Sequence, residues 1–167
     1  MTLMDLNNMD KTQLTVVLSK CCGALCWVEK MTSIFPVYDS TELLDKAEKI
    51  WFSCNEMDWR EAFKQHPRIG DINSLKEKFE TTSNWAEREQ SGVLETSQTV
   101  LESLARANTY YEDKFGYIFI VCATGKSAEE MLSMLESRLK NKPGDEIKVA
   151  MREQNKITKI RLQKLLL

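Results

Sequence analysis

Apolar residues recur at spacings of three and four positions along most of this 167-residue chain, and few glycines or prolines interrupt them. Such spacing places apolar side chains on one face of an α-helix, so the pattern predicts a largely helical protein. Asp10 and Asp39 each begin a motif that resembles a capping box, with an amide or acidic residue three positions later. These motifs predict helices from about 11 to 30 and from about 40 to 53.

The middle of the chain is predicted to hold shorter helices. One runs from about 56 to 65 and ends before Pro67, because the residue that precedes a proline is forced out of the helical region. Ser74 begins another capping motif and predicts a short helix. The segment NWAEREQ, residues 84–90, is predicted to form one more.

The second half of the chain has the most regular pattern. One apolar stripe predicts a long core helix, and it consists of Val93, Val100, Leu104, Ala107 and Tyr111. The segment FGYIFIVCATG breaks this period with aromatic and β-branched residues, but no second strand is predicted to pair with it. We therefore expect a buried extended connector at about 117–123, followed by helices from about 128 to 139 and 144 to 165. The predicted fold is an all-α, single-domain bundle of about seven to nine helices.

Length and composition narrow the class of protein. At 167 residues, one domain that spans 1–167 is the default expectation. A formal charge of −2 argues against a protein that binds nucleic acid or an anionic membrane through bulk charge. No apolar run approaches the roughly 20 residues that span a bilayer, and the start of the chain lacks the pattern of a signal peptide. We expect a cytoplasmic protein with a small-molecule partner.

The cysteines raise the question of a metal site. Five are present, an odd number, and three of them are clustered in CCGALCW as Cys21, Cys22 and Cys26. Their spacing differs from the Cys-x2-Cys pair of a zinc site, and the only histidine is distant in the sequence. We therefore interpret these residues as buried structural thiols. We predict no disulfide framework, no metal ion and no cofactor.

The only histidine, His66, lies in the stretch FKQHPRIGD, directly after a predicted helix. Pro67 fixes the direction in which the chain leaves, and Gly70 permits a sharp turn, so the backbone here should hold a side chain rigidly. Two interpretations follow from the residues alone. His66 either caps the carbonyl groups at the end of the helix or is presented to a ligand.

Two charged residues also have alternative interpretations. Arg161 is four positions after Ile157 and four before Leu165, which places a guanidinium on an apolar stripe. It either extends its charge from the edge of the stripe, pairs with an internal carboxylate, or binds the carboxylate of a ligand through two parallel hydrogen bonds. Glu89 lies among the charges of EREQ, for which a solvated helix face is the default interpretation.

Four blocks in this order resemble the 2-oxo-4-hydroxy-4-carboxy-5-ureidoimidazoline (OHCU) decarboxylase family. They are HPRIGD, SNWAEREQSGV, YYEDKFGYIFIVCATGKS and KITKIRLQKLL. The resemblance extends over nearly the whole chain, including the region of CCGALCW. It implies an all-helical, cofactor-free enzyme, usually a homodimer, that produces (S)-allantoin in the last of three steps from urate. It also implies that a histidine donates the catalytic proton.

The resemblance assigns roles to individual residues. His66 matches the catalytic histidine, and Pro67 matches its neighbour, whose backbone borders the substrate. Glu89 and Gln90 match the Glu-Gln pair of the family, and Arg161 matches the arginine that binds the substrate. The segment whose backbone faces the substrate ring corresponds to Phe119, Ile120, Val121, Cys122 and Ala123.

One position departs from the family pattern. Ala86 stands where many members have serine, three positions before the glutamate. The hydroxyl contact with the substrate is therefore absent or is supplied by another residue such as Ser83.

The implied chemistry needs no external electron sink. Loss of carbon dioxide leaves electrons that the neighbouring carbonyl group of the substrate can hold as an enolate. Arg161 would hold a carboxylate or ring oxygen, Glu89 and Gln90 the ureido and ring N–H groups, and His66 would deliver a proton to one face.

Two other functions are compatible with a helical chain of this composition. One is a non-catalytic helical interaction module with a vestigial cleft. Ala86 is compatible with this alternative. The set His66, Glu89, Gln90 and Arg161 argues against it. The other is a metal hydrolase, which lacks a recognisable ligand set.

Overall fold

The computed structural model describes residues 1–66 and 91–167, with only the backbone of 91–97. Within these ranges the chain forms eight helices and no strand, which confirms the predicted all-α fold. The helices are α1 Leu3–Asn7, α2 Lys11–Ser19, α3 Leu25–Thr32, α4 Ser40–Phe52, α5 Glu56–Lys64, α6 Ser91–Phe115, α7 Ala128–Arg138 and α8 Pro143–Leu165. The short helices predicted near Ser74 and in 84–90 lie outside the described residues.

Side-chain caps explain where several helices begin. Asp10 accepts a hydrogen bond from the backbone N–H of Gln13 at 2.8 Å, and Gln13 accepts one in return, so the predicted capping box is present. Asp39 also caps its helix, through the N–H of Glu42. Glu42 instead accepts from Tyr38 N at 2.5 Å, so the second box is not reciprocal.

The predicted helix over 11–30 is wrong, because the chain leaves the helix between α2 and α3. Gly23 lies in this break, and a Cβ built on it would lie 2.8 Å from the Cβ of Gln65. Because no side chain fits there, the backbone of the break can approach the end of α5 closely. The break therefore reflects a tertiary contact rather than a local helix signal.

The chain contains two compact units. The first comprises Met1–His66, Ile120–Cys122 and Ile147–Leu167. In its core, α3 packs against α2, α4 and α5. The buried indole of Trp27 donates to Ala47 O at 3.0 Å, and that of Trp51 donates to Met151 O at 2.9 Å. These bonds satisfy the polar atom of each large apolar side chain inside the core.

The second unit, as far as it is described, comprises 91–119 and Ala123–Glu146. Its helices α6 and α7 pack together, and Leu104 and Tyr111 of the predicted stripe are buried. Arg138 and Glu146 form a buried ion pair at 2.5 Å. The hydroxyl of Tyr111 also donates to Glu146. A single domain over 1–167 stays a prediction.

The predicted non-helical connector between α6 and α7 is present, and it is buried in part. Residues 116–127 form no helix or strand. Tyr117, Ile120 and Val121 are buried, whereas Phe119 and Cys122 are half-buried. No helix in the described ranges is long and apolar enough to cross a membrane.

Candidate functional site

His66 directly follows the end of α5. The helix ends at Lys64, and the backbone N–H of His66 still donates to Phe63 O at 3.2 Å. This last turn fixes the backbone of the histidine against the helix, while the side chain is half-buried. The imidazole is therefore held at a defined position within the first unit.

The imidazole bonds to the middle of the last helix. Its Nε2 lies 2.5 Å from Oε1 of Gln154, a fully buried residue of α8. An amide oxygen can only accept, so the imidazole donates, and the proton of this bond resides on Nε2. The contact fixes the orientation of the ring of the only histidine in the chain.

A series of neutral polar groups continues behind Gln154. Its amide Nε2 donates to Oγ1 of Thr158 at 3.2 Å, and the Thr158 side chain hydrogen-bonds Cys22. Burial is the main reason that the pKa of Cys22 is raised to about 11, so this thiol is neutral near pH 7. His66 is thus connected to the break between α2 and α3 through three uncharged side chains.

Arg161 lies on α8, one turn beyond Thr158, and is half-buried. Its Nη1 donates to Cys21 O at 3.3 Å. Burial raises the pKa of Cys21 to about 11, and the charge of Arg161 offsets only part of that rise. Within 1–66 and 91–167, Arg161 forms no ion pair with a carboxylate. This favours the sequence-based alternatives in which its charge serves a ligand or extends to solvent.

The connector is attached to the same helix. The backbone N–H of Cys122 donates to Oε2 of Glu153 at 2.8 Å, and the carboxylate is buried next to Gln154 in sequence. Lys156 supplies a balancing positive charge to Glu153 at 2.5 Å. The N–H of Cys122, one of the backbone groups expected to face a ligand, is therefore engaged by Glu153 in this structure.

Helix α8 brings together three elements that are far apart in sequence. Gln154 holds His66, Glu153 holds Cys122, and Arg161 follows on the same helix. With a rise of 1.5 Å per residue, residues 153–161 cover about 12 Å along the axis of α8. An acid–base group and a guanidinium are thereby positioned on rigid secondary structure in one unit.

Comparison with known proteins identifies the family. A model of the family described as OHCU decarboxylase matches residues 7–163 of this chain. The chain belongs to the OHCU decarboxylase family.

Similar proteins in this family include longer ones. The chain is 38% identical to the uric acid degradation bifunctional protein TTL of Arabidopsis thaliana, over 87% of this chain and 45% of that protein. It is 26% identical to the uric acid degradation bifunctional protein PucL of Bacillus subtilis (strain 168), over 96% of this chain and 32% of that protein. The chain therefore spans less than half the length of these two relatives.

One solved structure is similar to this member of the OHCU decarboxylase family over most of both chains. It is a crystal structure of OHCU decarboxylase in the presence of (S)-allantoin, with a TM-score of 0.71 and 36% identity. The similarity covers 89% of this chain and 95% of that chain.

The remaining predicted site residues of this OHCU decarboxylase family member either lie outside the described part of the chain or belong to the connector. Pro67, Ala86, Glu89 and Gln90 lie outside the described residues. The side chains of Ile120 and Val121 are buried in the first unit. In the second unit, Ala123 is half-buried, and the ring of Phe119 lies 4.6 Å from the guanidinium carbon of Arg138. Roles of these residues toward a substrate stay predictions.

Sequence reasoning missed the polar residues of α8 that hold the site. Gln154 and Thr158 are buried on the same helical stripe as Ile147, Met151 and Leu162. Polar residues at such positions need internal partners, which is a signal that the sequence contains. What the sequence does not contain is the identity of the partner, since His66 is distant along the chain.

Proposed function

We propose that this chain catalyses the cofactor-independent decarboxylation of OHCU to (S)-allantoin, the third step of urate degradation. The observation that carries the proposal is the attachment of His66 to the helix that bears Arg161. Family membership supports it, as does the similarity to an OHCU decarboxylase whose structure was solved in the presence of (S)-allantoin. The class is a carboxy-lyase that acts in purine catabolism.

The reaction divides into bond cleavage and protonation. Cleavage of the bond between the ring carbon and the carboxylate releases carbon dioxide and leaves the electron pair on the ring. The adjacent carbonyl group takes up that pair as an enolate, and a proton then adds to the ring carbon. The protein must therefore bind the carboxylate, orient the ring and supply the proton on one face.

Arg161 is the proposed anchor for the substrate. A guanidinium has five N–H donors in a planar fork, and the hydrogen bond to Cys21 O uses one nitrogen. The other donors suit two parallel hydrogen bonds to a carboxylate or to a ring oxygen. Because Arg161 forms no ion pair within the described ranges, a bound anion would be its charge partner.

His66 is the proposed catalytic acid, and Gln154 is a positioning residue that acts through it. The bond to Gln154 engages the Nε2 proton and holds the imidazole at one orientation, so the protonated ring would deliver its Nδ1 proton to one face of the substrate. Thr158 orients the Gln154 amide so that its oxygen, rather than its nitrogen, meets the histidine. A single face of protonation accounts for a product of one hand.

The remaining assignments rest on the sequence match to the family. We propose that Glu89 and Gln90 bind the ureido and ring N–H groups and that Pro67 borders the substrate. The backbone of 119–123 would face the ring, apart from the N–H that Glu153 engages. Ala86 supplies no hydroxyl, so any such contact comes from another residue.

We further propose that residues 1–167 form one decarboxylase domain that works as a cytoplasmic homodimer. The match to the family model over residues 7–163 supports one domain. The homodimer follows from what the family resemblance implies, and its test is the mass of the protein in solution.

One experiment separates the decarboxylase from a helical interaction module. The substrate is generated from urate with the two upstream enzymes, this protein is added, and the circular dichroism of allantoin is followed. A decarboxylase accelerates the reaction and gives (S)-allantoin. An unchanged rate with racemic product would support the interaction module.

A further inference from the structure

Three potential metal ligands lie close together in the first unit. None of them takes part in the contacts described above for His66 and Arg161. They are Cys26 of α3, Cys54 from the turn after α4, and Asp58 of α5. Their ligating atoms, two sulfurs and one carboxylate oxygen, all lie within 4.8 Å of one another. Cys54 is buried, whereas Cys26 and Asp58 are half-buried, so the cluster has a route to solvent.

Local structure holds Cys54 and Asp58 of this cluster in place. The backbone N–H of Cys54 donates to Trp51 O at 3.1 Å, which closes the last turn of α4. Asp58 Oδ2 accepts from Asn55 N at 2.9 Å as part of the cap of α5. That bond occupies one carboxylate oxygen and leaves Oδ1 as a ligand. Two of the three donors are thus fixed by helix ends, and fixed donors are what a metal site requires.

We propose that Cys26, Cys54 and Asp58 bind a zinc-class divalent cation. Thiolates select soft or borderline ions, and the mixture of two sulfurs with one oxygen suits Zn²⁺ better than Mg²⁺ or Ca²⁺. Tetrahedral coordination with Zn–S bonds of about 2.3 Å places sulfurs about 3.8 Å apart. Small side-chain shifts therefore suffice for binding, and water completes the fourth position.

The charge of the loaded site is nearly balanced. Two thiolates and one carboxylate carry three negative charges, against two positive charges of the ion. The Lys30 ammonium lies close enough to lower the pKa of Cys54 against the larger effect of burial. It also hydrogen-bonds Ser53, the neighbour of Cys54, at 3.3 Å. One lysine therefore offsets the remaining negative charge.

A disulfide between Cys26 and Cys54 is the alternative use of the two thiols. The third ligand distinguishes the two uses, because a disulfide leaves the nearby carboxylate of Asp58 without a role, whereas a cation engages all three groups.

The bound ion would connect α3 to the start of α5, the helix that His66 follows. It would act as a clamp on the first unit and would take no part in the decarboxylation. The proposal departs from the sequence-based expectation of no metal site. Cys26 and Cys54 are separated by a whole helix, so their partnership produces no recognisable spacing motif.

The test is a titration of the reduced full-length protein with Co²⁺, a spectroscopic substitute for Zn²⁺. We expect thiolate-to-cobalt charge-transfer bands with the visible bands of tetrahedral Co²⁺, saturation at one ion per chain, and displacement by Zn²⁺. Cys26→Ser and Cys54→Ser should each abolish the spectrum. Asp58→Asn should weaken binding by at least about 10- to 100-fold, the loss found for partners that only support a ligand, because Asp58 is a direct ligand.

Cys122→Ser is the matched control, because Cys122 is half-buried like Cys26 but lies outside the cluster. It should retain the spectrum and the stoichiometry. Thermal melting with and without Zn²⁺ checks that each variant folds; the parent and Cys122→Ser should gain the full stability from the ion, Asp58→Asn less, and the two serine variants of the cluster none. Absence of a tetrahedral spectrum in the parent, or its survival in Cys26→Ser or Cys54→Ser, would overturn the proposal.

Discussion

Nε2 of His66 lies 2.5 Å from Oε1 of Gln154, although 88 positions separate the two residues in the chain. The acceptor is an amide, so it orients the imidazole without placing a negative charge beside it. A carboxylate at the same position would orient the ring equally well and would also stabilise the imidazolium. A glutamine at this position therefore sets the orientation of the His66 ring without stabilising its protonated form. The effects of residue 154 on orientation and on protonation can be tested independently.

Gln154→Glu tests this separation. We expect the pKa of His66 to rise by about 1 to 3 units, because an adjacent carboxylate favours the charged imidazole. The protonated form then persists to higher pH, and the limb of the kcat/KM profile that depends on His66 should move to higher pH by the same amount. Since the chain has one histidine, an NMR titration of its ring follows the shift directly.

Thr158→Val provides the control for that experiment. It removes the hydroxyl that accepts from the Gln154 amide without adding a charge. It should alter the orientation of the amide and lower kcat while leaving the His66 titration nearly unchanged. A pH profile of Gln154→Glu that coincides with that of the parent would rule out Gln154 as a positioning residue for His66.

His66→Asn separates a catalytic histidine from a structural one. Asparagine can keep a hydrogen bond but cannot titrate, so we expect a folded variant whose turnover is lower by about 10²-fold or more. A purely structural role predicts near-normal turnover and a melting temperature lowered by several degrees, consistent with about 1 kcal/mol for one hydrogen bond. Turnover, melting temperature and the handedness of allantoin should be measured on one preparation.

Arg161→Lys tests the planar fork of the proposed anchor. Lysine keeps the positive charge but loses the paired donors, so kcat/KM should fall by at least about tenfold, or about 1.4 kcal/mol. Arg152→Lys is the matched control, because Arg152 is exposed on the same helix. Parent kinetics in both variants would make Arg161 a structural residue.

Helix positions in this protein were largely predictable because their signals are local. Local signals predicted the ends of α4, α5, α7 and α8 to within one or two residues, and an apolar stripe predicted the presence of α6. Helix α1 was not predicted, since five residues are too few to show a helical period. The break after α2 was missed because its cause, the approach of Gly23 to Gln65, joins distant parts of the chain.

The candidate site was predictable residue by residue but not as an arrangement. His66 and Arg161 were identified from their unusual positions and from the family resemblance. The partner of His66 was not identified, because a buried glutamine on a helix indicates that a hydrogen-bond partner is needed but not which residue supplies it. The cluster of Cys26, Cys54 and Asp58 was hidden for the same reason. Tertiary contacts, rather than local patterns, determine these arrangements.

Glu146→Ala tests the buried ionic cluster of the second unit. Glu146 is fully buried and accepts from Arg138, Tyr111 and Asn141. Its removal takes away the carboxylate with which the buried Arg138 pairs at 2.5 Å, so we expect a loss of about 3 to 5 kcal/mol in the free energy of unfolding. The melting temperature should fall by roughly 6 to 20 °C, at about 2 to 4 °C per kcal/mol.

The exposed Glu136 of α7 provides the control for that substitution. Glu136→Ala removes the same charge from the surface and should change stability by no more than about 0.5 kcal/mol. Equal melting temperatures for the two variants would mean that the buried cluster contributes little to stability.

Gly23→Ala tests whether the break between α2 and α3 supports His66. The added methyl group would lie 2.8 Å from the Cβ of Gln65, which is fixed by the backbone and cannot rotate away. The end of α5 must therefore shift, at a cost of about 1 to 3 kcal/mol for overpacking. Because His66 is the next residue, we also expect kcat/KM to fall by about tenfold or more, since small displacements of catalytic groups are costly.

Two comparisons show whether that loss acts through the histidine. Gly144→Ala makes the same chemical change where a Cβ would meet nothing within 4 Å, so activity should be unchanged. In the His66→Asn background, Gly23→Ala should cause little further loss of turnover, because the group that it displaces is already absent. An undiminished loss in that background, at equal folded fraction, would show that Gly23 affects catalysis by a route independent of His66.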